Sequence, residues 1–287
     1  MKMKNINGVS KTDNTQGVSE TDSFFSENEE NFESILRNGY TIIKNVFSET
    51  DCELAKQKID KIYKEQILEC GDEDYLTSIN DNDVVRALLV YDDFFNNFVI
   101  SEKINDILKL AFGDRYILNL QNAPINRARS KHFGSAWHRD LSYQHFIPSR
   151  PVSLTSIICL DEFTKDNGGT SIIPFSHKFE KFPSKNFKNY NEKKIEAKKG
   201  DVVLFDSLLF HRAGENNTDE ERKLIVQVFT LPFIKQQISL PKALNGKYIK
   251  DKKLSYILGY DTDVEENVLN WRKRRKKRYE EISKEKN

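Results

Sequence analysis

Near residue 114 the hydrophobic period of this sequence changes, and that change leaves few folds open to it. Before it, apolar residues recur at helical spacing. Leu54, Ile59, Ile62 and Tyr63 fall on one side of a helix for which Ser48-Glu49-Thr50-Asp51 supplies N-cap candidates. A second helix is predicted over 102–110, with Ile104, Ile107 and Leu108 on one face and Gly113 at its end. Beyond 114, five short runs (116–120, 152–160, 170–173, 201–205 and 223–231) are rich in β-branched and aromatic residues. Asn167-Gly168-Gly169 and Lys199-Gly200-Asp201 separate them as turns. Helices first and strands afterwards, without regular alternation, argue against a doubly wound sheet. They predict a mainly β core, a barrel or sandwich, with flanking helices. The apolar run 84–91 fits either a strand or a helix.

The same reading divides the chain. Residues 1–22 are polar, lack periodicity and are expected to form a disordered leader. A single domain follows over 23–287: a helical part (23–113), a strand-rich core (114–235) and a charged extension (236–287). No apolar run approaches the roughly 20 residues that span a bilayer, and the first residues contain nothing like the apolar segment of a secretory signal. Cys52, Cys70 and Cys159 are widely spaced and odd in number, which disfavours a disulfide scaffold and fits a cytoplasmic location. With 45 Lys and Arg against 44 Asp and Glu, any attraction to nucleic acid must be local. The one basic block, seven cations over 272–278, outweighs the net charge of +1 and leaves the rest of the chain net acidic. It reads as a solvated helix with Trp271 packed against the body. Docking of a phosphate-rich or acidic partner is the alternative.

The residues that carry chemistry are few. Of five histidines, His138 stands two positions before Asp140, and residues two apart on an extended segment share a face. His211 follows the apolar run Val202-Val203-Leu204-Phe205. Two imidazoles and one carboxylate are the ligand set of non-haem iron oxygenases, which keeps coordination positions open for co-substrate and dioxygen. An H-x-D tripeptide alone is more often a surface feature. Eleven residues after His211, Arg222 opens a strand-like run. Two readings stand at this point: the guanidinium pairs with an anion inside the core, or it faces solvent beside Asp219, Glu220 and Glu221.

The ordered motifs Trp137-His138-Arg139-Asp140, Asp166-Asn167-Gly168-Gly169-Thr170 running to His177, Gly200-Asp201-Val202-Val203-Leu204-Phe205-Asp206, and His211-Arg212-Ala213-Gly214 leading to Arg222 resemble the phytanoyl-CoA dioxygenase family over roughly residues 30–235. The resemblance implies a double-stranded β-helix, or jelly roll, and an enzyme using Fe(II), 2-oxoglutarate and dioxygen. It makes His138, Asp140 and His211 the iron ligands and matches Arg222 to the arginine that holds the distal carboxylate of 2-oxoglutarate. Gln121 matches a glutamine that lines the co-substrate pocket in ectoine hydroxylase-like members. Many members carry Ser or Thr two positions after the second histidine; here Ala213 stands there, so another donor or water must serve. With Asp140 in place hydroxylation is the expected outcome, since halogenating relatives have a small residue at that position. His177 matches a motif position and is expected to cap backbone groups in a turn.

Three cations in Asn126-Arg127-Ala128-Arg129-Ser130-Lys131 precede the H-x-D segment. Arg127 and Arg129 are therefore candidates for an anionic substrate group, with Tyr143 as a pocket wall. Solvated loop charge and core packing are the bland alternatives. His132 and His145 read as loop residues, and Arg139 as structural. The expected activity is hydroxylation of an unactivated C–H bond of a small molecule, in natural-product, sugar or surface-polysaccharide biosynthesis, with release of succinate and CO2. The rivals are a nucleic-acid oxidative demethylase, favoured only by the basic tail, and a barrel-fold binding or regulatory protein without turnover.

Overall fold

The computed structural model describes residues 25–130, 133–140 and 146–284. The helical half begins where the sequence supplies caps. Ser26 accepts the Glu29 amide while the Glu29 carboxylate accepts the Ser26 amide at 2.8 Å, a reciprocal cap that opens α1 (Glu27–Asn38). Gly39 ends α1 at φ +91°, where a Cβ would also lie 2.6 Å from His177 Nδ1. After β1 (Tyr40–Ile43), Ser48 caps α2 (Glu49–Cys70) by accepting the Asp51 amide. The buried stripe of α2 is Cys52, Ala55, Ile59, Ile62, Tyr63 and Gln66; Leu54, expected on that stripe, lies outside it and is 38% exposed. α3 (Glu73–Ser78) follows. The ambiguous run 84–91 contains both elements: β2 (Val84–Val85), then α4 (Leu88–Tyr91). α5 (Asn96–Val99) and α6 (Glu102–Phe112) complete this half, with Ile104, Ile107 and Leu108 buried and Gly113 closing α6 as expected.

The second half supplies β3 (Ile117–Asn126), β4 (Ser153–Cys159), β5 (Ser171–Ile172), α7 (Lys185–Asn191), β6 (Lys193–Lys194), β7 (Val202–Asp206), β8 (His211–Arg212) and β9 (Arg222–Thr230). α8 (Leu240–Ala243), α9 (Lys252–Ile257) and α10 (Val268–Lys284) follow. The strands form two antiparallel sheets, one in the order β1-β7-β4-β9-β3-β2 and one in the order β6-β5-β8. Because the strands of the second sheet are only two residues long, helix (39%) outweighs strand (20%) along the chain. The expectation of a mainly β protein therefore holds for the core and fails for the whole.

Both faces of the larger sheet are buried, so β4 and β7 are continuous apolar-rich runs and not alternating ones. One face (Leu154, Ile158, Val202, Leu204, Ile225, Phe229) packs with Ile35, Ile59, Phe95, Phe98 and Ile104 from the helices. The other (Ile157, Cys159, Val203, Phe205, Leu224) packs with Phe163, Ile172, Ile195 and Leu209. Each such side chain contributes roughly 1.5–3 kcal/mol by leaving water, and this inner layer is where the functional residues gather. Among the described residues no helix is long and apolar enough to cross a membrane. Cys52 and Cys159 are buried free thiols.

Candidate active site

The H-x-D segment is fixed by main chain. His138 and His211 exchange both backbone hydrogen bonds at 3.0 Å, flanked by Asp140 N donating to Ser207 O (3.1 Å) and Ala213 N donating to Gly134 O (2.8 Å). Residues 134–140 therefore run antiparallel to 207–213, and period-2 alternation turns His138, Asp140 and His211 toward one space. Each imidazole is oriented by its own chain, since His138 Nδ1 lies 2.8 Å from Ala136 O and His211 Nδ1 lies 3.0 Å from Leu209 O. A carbonyl can only accept, so Nδ1 carries the hydrogen in both rings and each Nε2 keeps its lone pair. Asp140 Oδ1 is 3.4 Å from His211 Nε2, and ligand atoms of the three residues all lie within 4.8 Å of one another.

Burial and the neighbouring charges shift all three groups. Burial, then the neighbouring His211, hold His138 below the usual imidazole range. Burial alone would lower His211 too, but the adjacent Asp140 carboxylate raises it above its ordinary value. Burial opposes ionisation of Asp140, yet the two imidazoles and the Thr155 hydroxyl hold its pKa below the ordinary carboxylate value. An anionic carboxylate and imidazole Nε2 lone pairs converging on one point are the donor set a divalent iron takes.

Arg222 lies in the same cavity, which has a volume of about 460 Å³. Its side chain is buried, with Nε donating to Asn167 O (3.1 Å) and Nη2 to Gly168 O (2.9 Å), and it stacks over Phe163 at 4.2 Å. Burial pushes its pKa down to about 10. Nη1 is buried and has no hydrogen-bond partner among the described residues. The solvent-facing reading of Arg222 is thereby excluded. Two of the acids beside it are engaged elsewhere, Glu221 with Arg127 and Lys223, and Asp219 with Arg129.

Other expectations need correction. Gln121 is fully buried on β3 but does not line this cavity: its Oε1 accepts Leu89 N (3.0 Å) and its Nε2 donates to Phe95 O (2.9 Å). Alternation gives the cavity face of β3 to Leu120, Asn122, Pro124 and Asn126 instead. Arg127 is neutralised by Asp83 and Glu221 and stacks on Tyr63, while Arg129 pairs with Asp219 on the surface; neither lines the cavity. Tyr143, His132 and His145 lie outside the described residues. His177 caps as expected, hydrogen-bonded through Nε2 to Leu36 O at 3.2 Å. Arg139 is structural, donating to the carbonyls of Ser176, Phe179 and Glu180. Ala213 does line the cavity, and continuing the β5–β8 register from Ser171↔Arg212 places Thr170 opposite it. The sequence reading missed Arg86, Asn122 and Gln237, polar members of the cavity wall, because nothing local to them signals a shared site.

His138, Asp140, His211 and Arg222 thus line one cavity. Residues 35–224 match the family model described as Phytanoyl-CoA dioxygenase (PhyH), and the chain belongs to that family. It is 26% identical over 237 residues to the uncharacterized protein Mb1539 of Mycobacterium bovis, covering 80% of this chain and 86% of that one. It is 30% identical over 130 residues to the iron/alpha-ketoglutarate-dependent dioxygenase ausO of Aspergillus calidoustus, covering 42% of this chain and 43% of that one. A solved nickel complex of the non-heme monooxygenase ThoJ superposes with a TM-score of 0.57 at 16% identity, covering 72% of this chain and 79% of that one, a likeness of fold. This chain is accordingly an oxygenase of the type that uses iron and 2-oxoglutarate (alpha-ketoglutarate).

Proposed function

We propose that the enzyme hydroxylates an unactivated C–H bond of a small organic molecule, with His138, Asp140 and His211 as iron ligands and Arg222 as the anchor of 2-oxoglutarate. The two antiparallel sheets are read as the halves of a double-stranded β-helix enclosing that site. The observation that carries the proposal is Arg222: a buried guanidinium without a carboxylate partner among the described residues, one nitrogen unsatisfied, in the cavity of the His-Asp-His group. Burying an unpaired charge costs several kcal/mol, and a dicarboxylate reaching from metal to Arg222 removes that cost with a charge-assisted pair.

When bound, iron, 2-oxoglutarate and dioxygen supply the oxidising power, with release of succinate and CO2. The chain's own residues bind and orient. The triad presents three donors from one side, and Arg222 offers Nη1 to the distal carboxylate. Thr170 stands where it can supply the hydroxyl that position 213 lacks. Ile157, Phe205, Leu224 and Val226 wall the cavity with apolar surface that excludes water, and its volume suits a small molecule. Asp140 fills the position that a halide needs in halogenating relatives, which supports hydroxylation.

The test is reconstitution with Fe(II) under anaerobic conditions, followed by 2-oxoglutarate and dioxygen, with succinate measured. Iron-dependent succinate formation that collapses in Arg222→Ala is expected. Protein with bound iron that consumes no 2-oxoglutarate, with or without candidate substrates, overturns the proposal.

A further inference from the structure

Three buried hydroxyls lie in a row that ends on Asp140. Thr155 Oγ1 donates to Asp140 Oδ2; Thr155 Oγ1 and Ser207 Oγ are 2.8 Å apart; Ser207 Oγ and Ser153 Oγ are 2.7 Å apart. All three side chains are buried, and Ser153 and Thr155 share a face of β4 as residues two apart. The direction of the row follows from counting hydrogens. An ionised carboxylate only accepts, so the single Thr155 hydrogen is committed to Asp140. Ser207 must then donate to Thr155, and Ser153 to Ser207. Main chain holds the parts in place, with Ser207 N donating to Ser153 O (3.2 Å) and Asp140 N to Ser207 O (3.1 Å).

We infer that Thr155, Ser207 and Ser153 are positioning residues for the metal site: a one-way row of O–H donors that occupies Asp140 Oδ2 and leaves Oδ1 as the oxygen that faces His211 Nε2. The inference rests on the metal-site reading above. A carboxylate with one oxygen held in this way cannot readily offer both to a metal, so the positions that co-substrate and dioxygen need stay open. Each donor also polarises the next, so the row acts on Asp140 as a unit.

Cobalt(II) binding to the full chain tests this without any turnover. Thr155→Val keeps the β-branched shape and removes the donor. It should weaken Co(II) binding by roughly tenfold to a hundredfold and change the intensity of the visible Co(II) bands, while Thr155→Ser restores both. Ser207→Ala leaves Thr155 able to donate but unsupported, and should shift affinity and spectrum in the same direction by less; it serves equally should Thr155→Val fail to fold. Wild-type affinity and spectrum in Thr155→Val, or in a folded Ser207→Ala protein, overturn the row. Equal Co(II) binding by the wild type and His138→Ala would instead show that the metal-site reading itself is wrong.

Discussion

His138 and His211 are joined through their backbones, each N–H donating to the other's carbonyl at 3.0 Å. Two histidines 73 positions apart in sequence are thereby neighbours across an antiparallel bridge, with ring centroids 4.3 Å apart. The bridge does not involve the side chains, so removing an imidazole leaves the main-chain frame in place.

Replacing His138, Asp140 or His211 with Ala should therefore abolish iron-dependent succinate formation while the metal-free proteins melt cooperatively, close to the wild type. Circular dichroism on heating and anaerobic Fe(II) titration measure the two halves of this expectation. Full 2-oxoglutarate turnover by His211→Ala would remove the ligand assignment.

Arg222→Ala strips the distal carboxylate of its partner in a buried setting. Truncating one side of such a charge pair costs about 2–5 kcal/mol, so the KM for 2-oxoglutarate should rise between roughly tenfold and a thousandfold or more. Arg222→Lys should recover only part of this, because an ammonium cannot reproduce the guanidinium fork. An unchanged 2-oxoglutarate requirement in Arg222→Ala would mean that the carboxylate is held elsewhere.

That His138, Asp140, His211 and Arg222 share one cavity was legible mainly through the ordered motifs that resemble the family. H-x-D alone puts two donors on one face but is more often a surface feature, and Arg222 by itself left two readings open. Gln121 was not legible in the same way. An offset from His138 identifies the strand but not which side of it faces the site, and a shift of one residue separates Gln121, stapled to Leu89 and Phe95, from Asn122 on the cavity wall. Arg127 and Arg129 misled because their partners, Asp83, Glu221 and Asp219, lie 44 or more positions away along the chain. The long strands β4, β7 and β9 were found close to their true bounds. β6 was missed altogether, since two residues carry no periodicity.

Asp206, at the end of β7, gives the metal-free protein a pH-dependent stability. Burial pushes its carboxyl up to about 6, and the Leu208 amide and the charges of Lys178 and Arg139 offset this only in part. The unfolded value is about 3.9, so the folded state holds the extra proton between roughly pH 4 and 6. The resulting stabilisation is fully present below that window and is lost as pH rises through the folded pKa, on the order of 3 kcal/mol in all. Asp206→Asn keeps an oxygen to accept the Leu208 amide and removes the charge. It should be more stable than the wild type to urea at pH near 7.5 and should lose the dependence across that window. Identical curves for the two proteins would show that Asp206 is not the group responsible.

The basic helix separates the small-molecule reading from the nucleic-acid one. α10 carries its seven cations in the open, and Trp271, expected to pack on the body, is half exposed and instead lies against Arg275 of its own helix. Within the run, Arg274 makes the contacts with the body, pairing with Glu265 at 2.5 Å and donating to the carbonyls of Asp263 and Tyr260. None of these residues lines the cavity of the His-Asp-His group. Ending the chain after Trp271 should leave substrate-free 2-oxoglutarate consumption unchanged. The full chain should bind nucleic acid weakly and without sequence preference, because the rest of the surface is net acidic. The logarithm of that affinity should fall with log salt at a slope of roughly −0.7 to −0.9 per phosphate neutralised, and the binding should vanish on truncation. Tight, sequence- or lesion-selective binding at physiological salt, lost with the helix, would make nucleic acid the substrate and leave the iron chemistry standing.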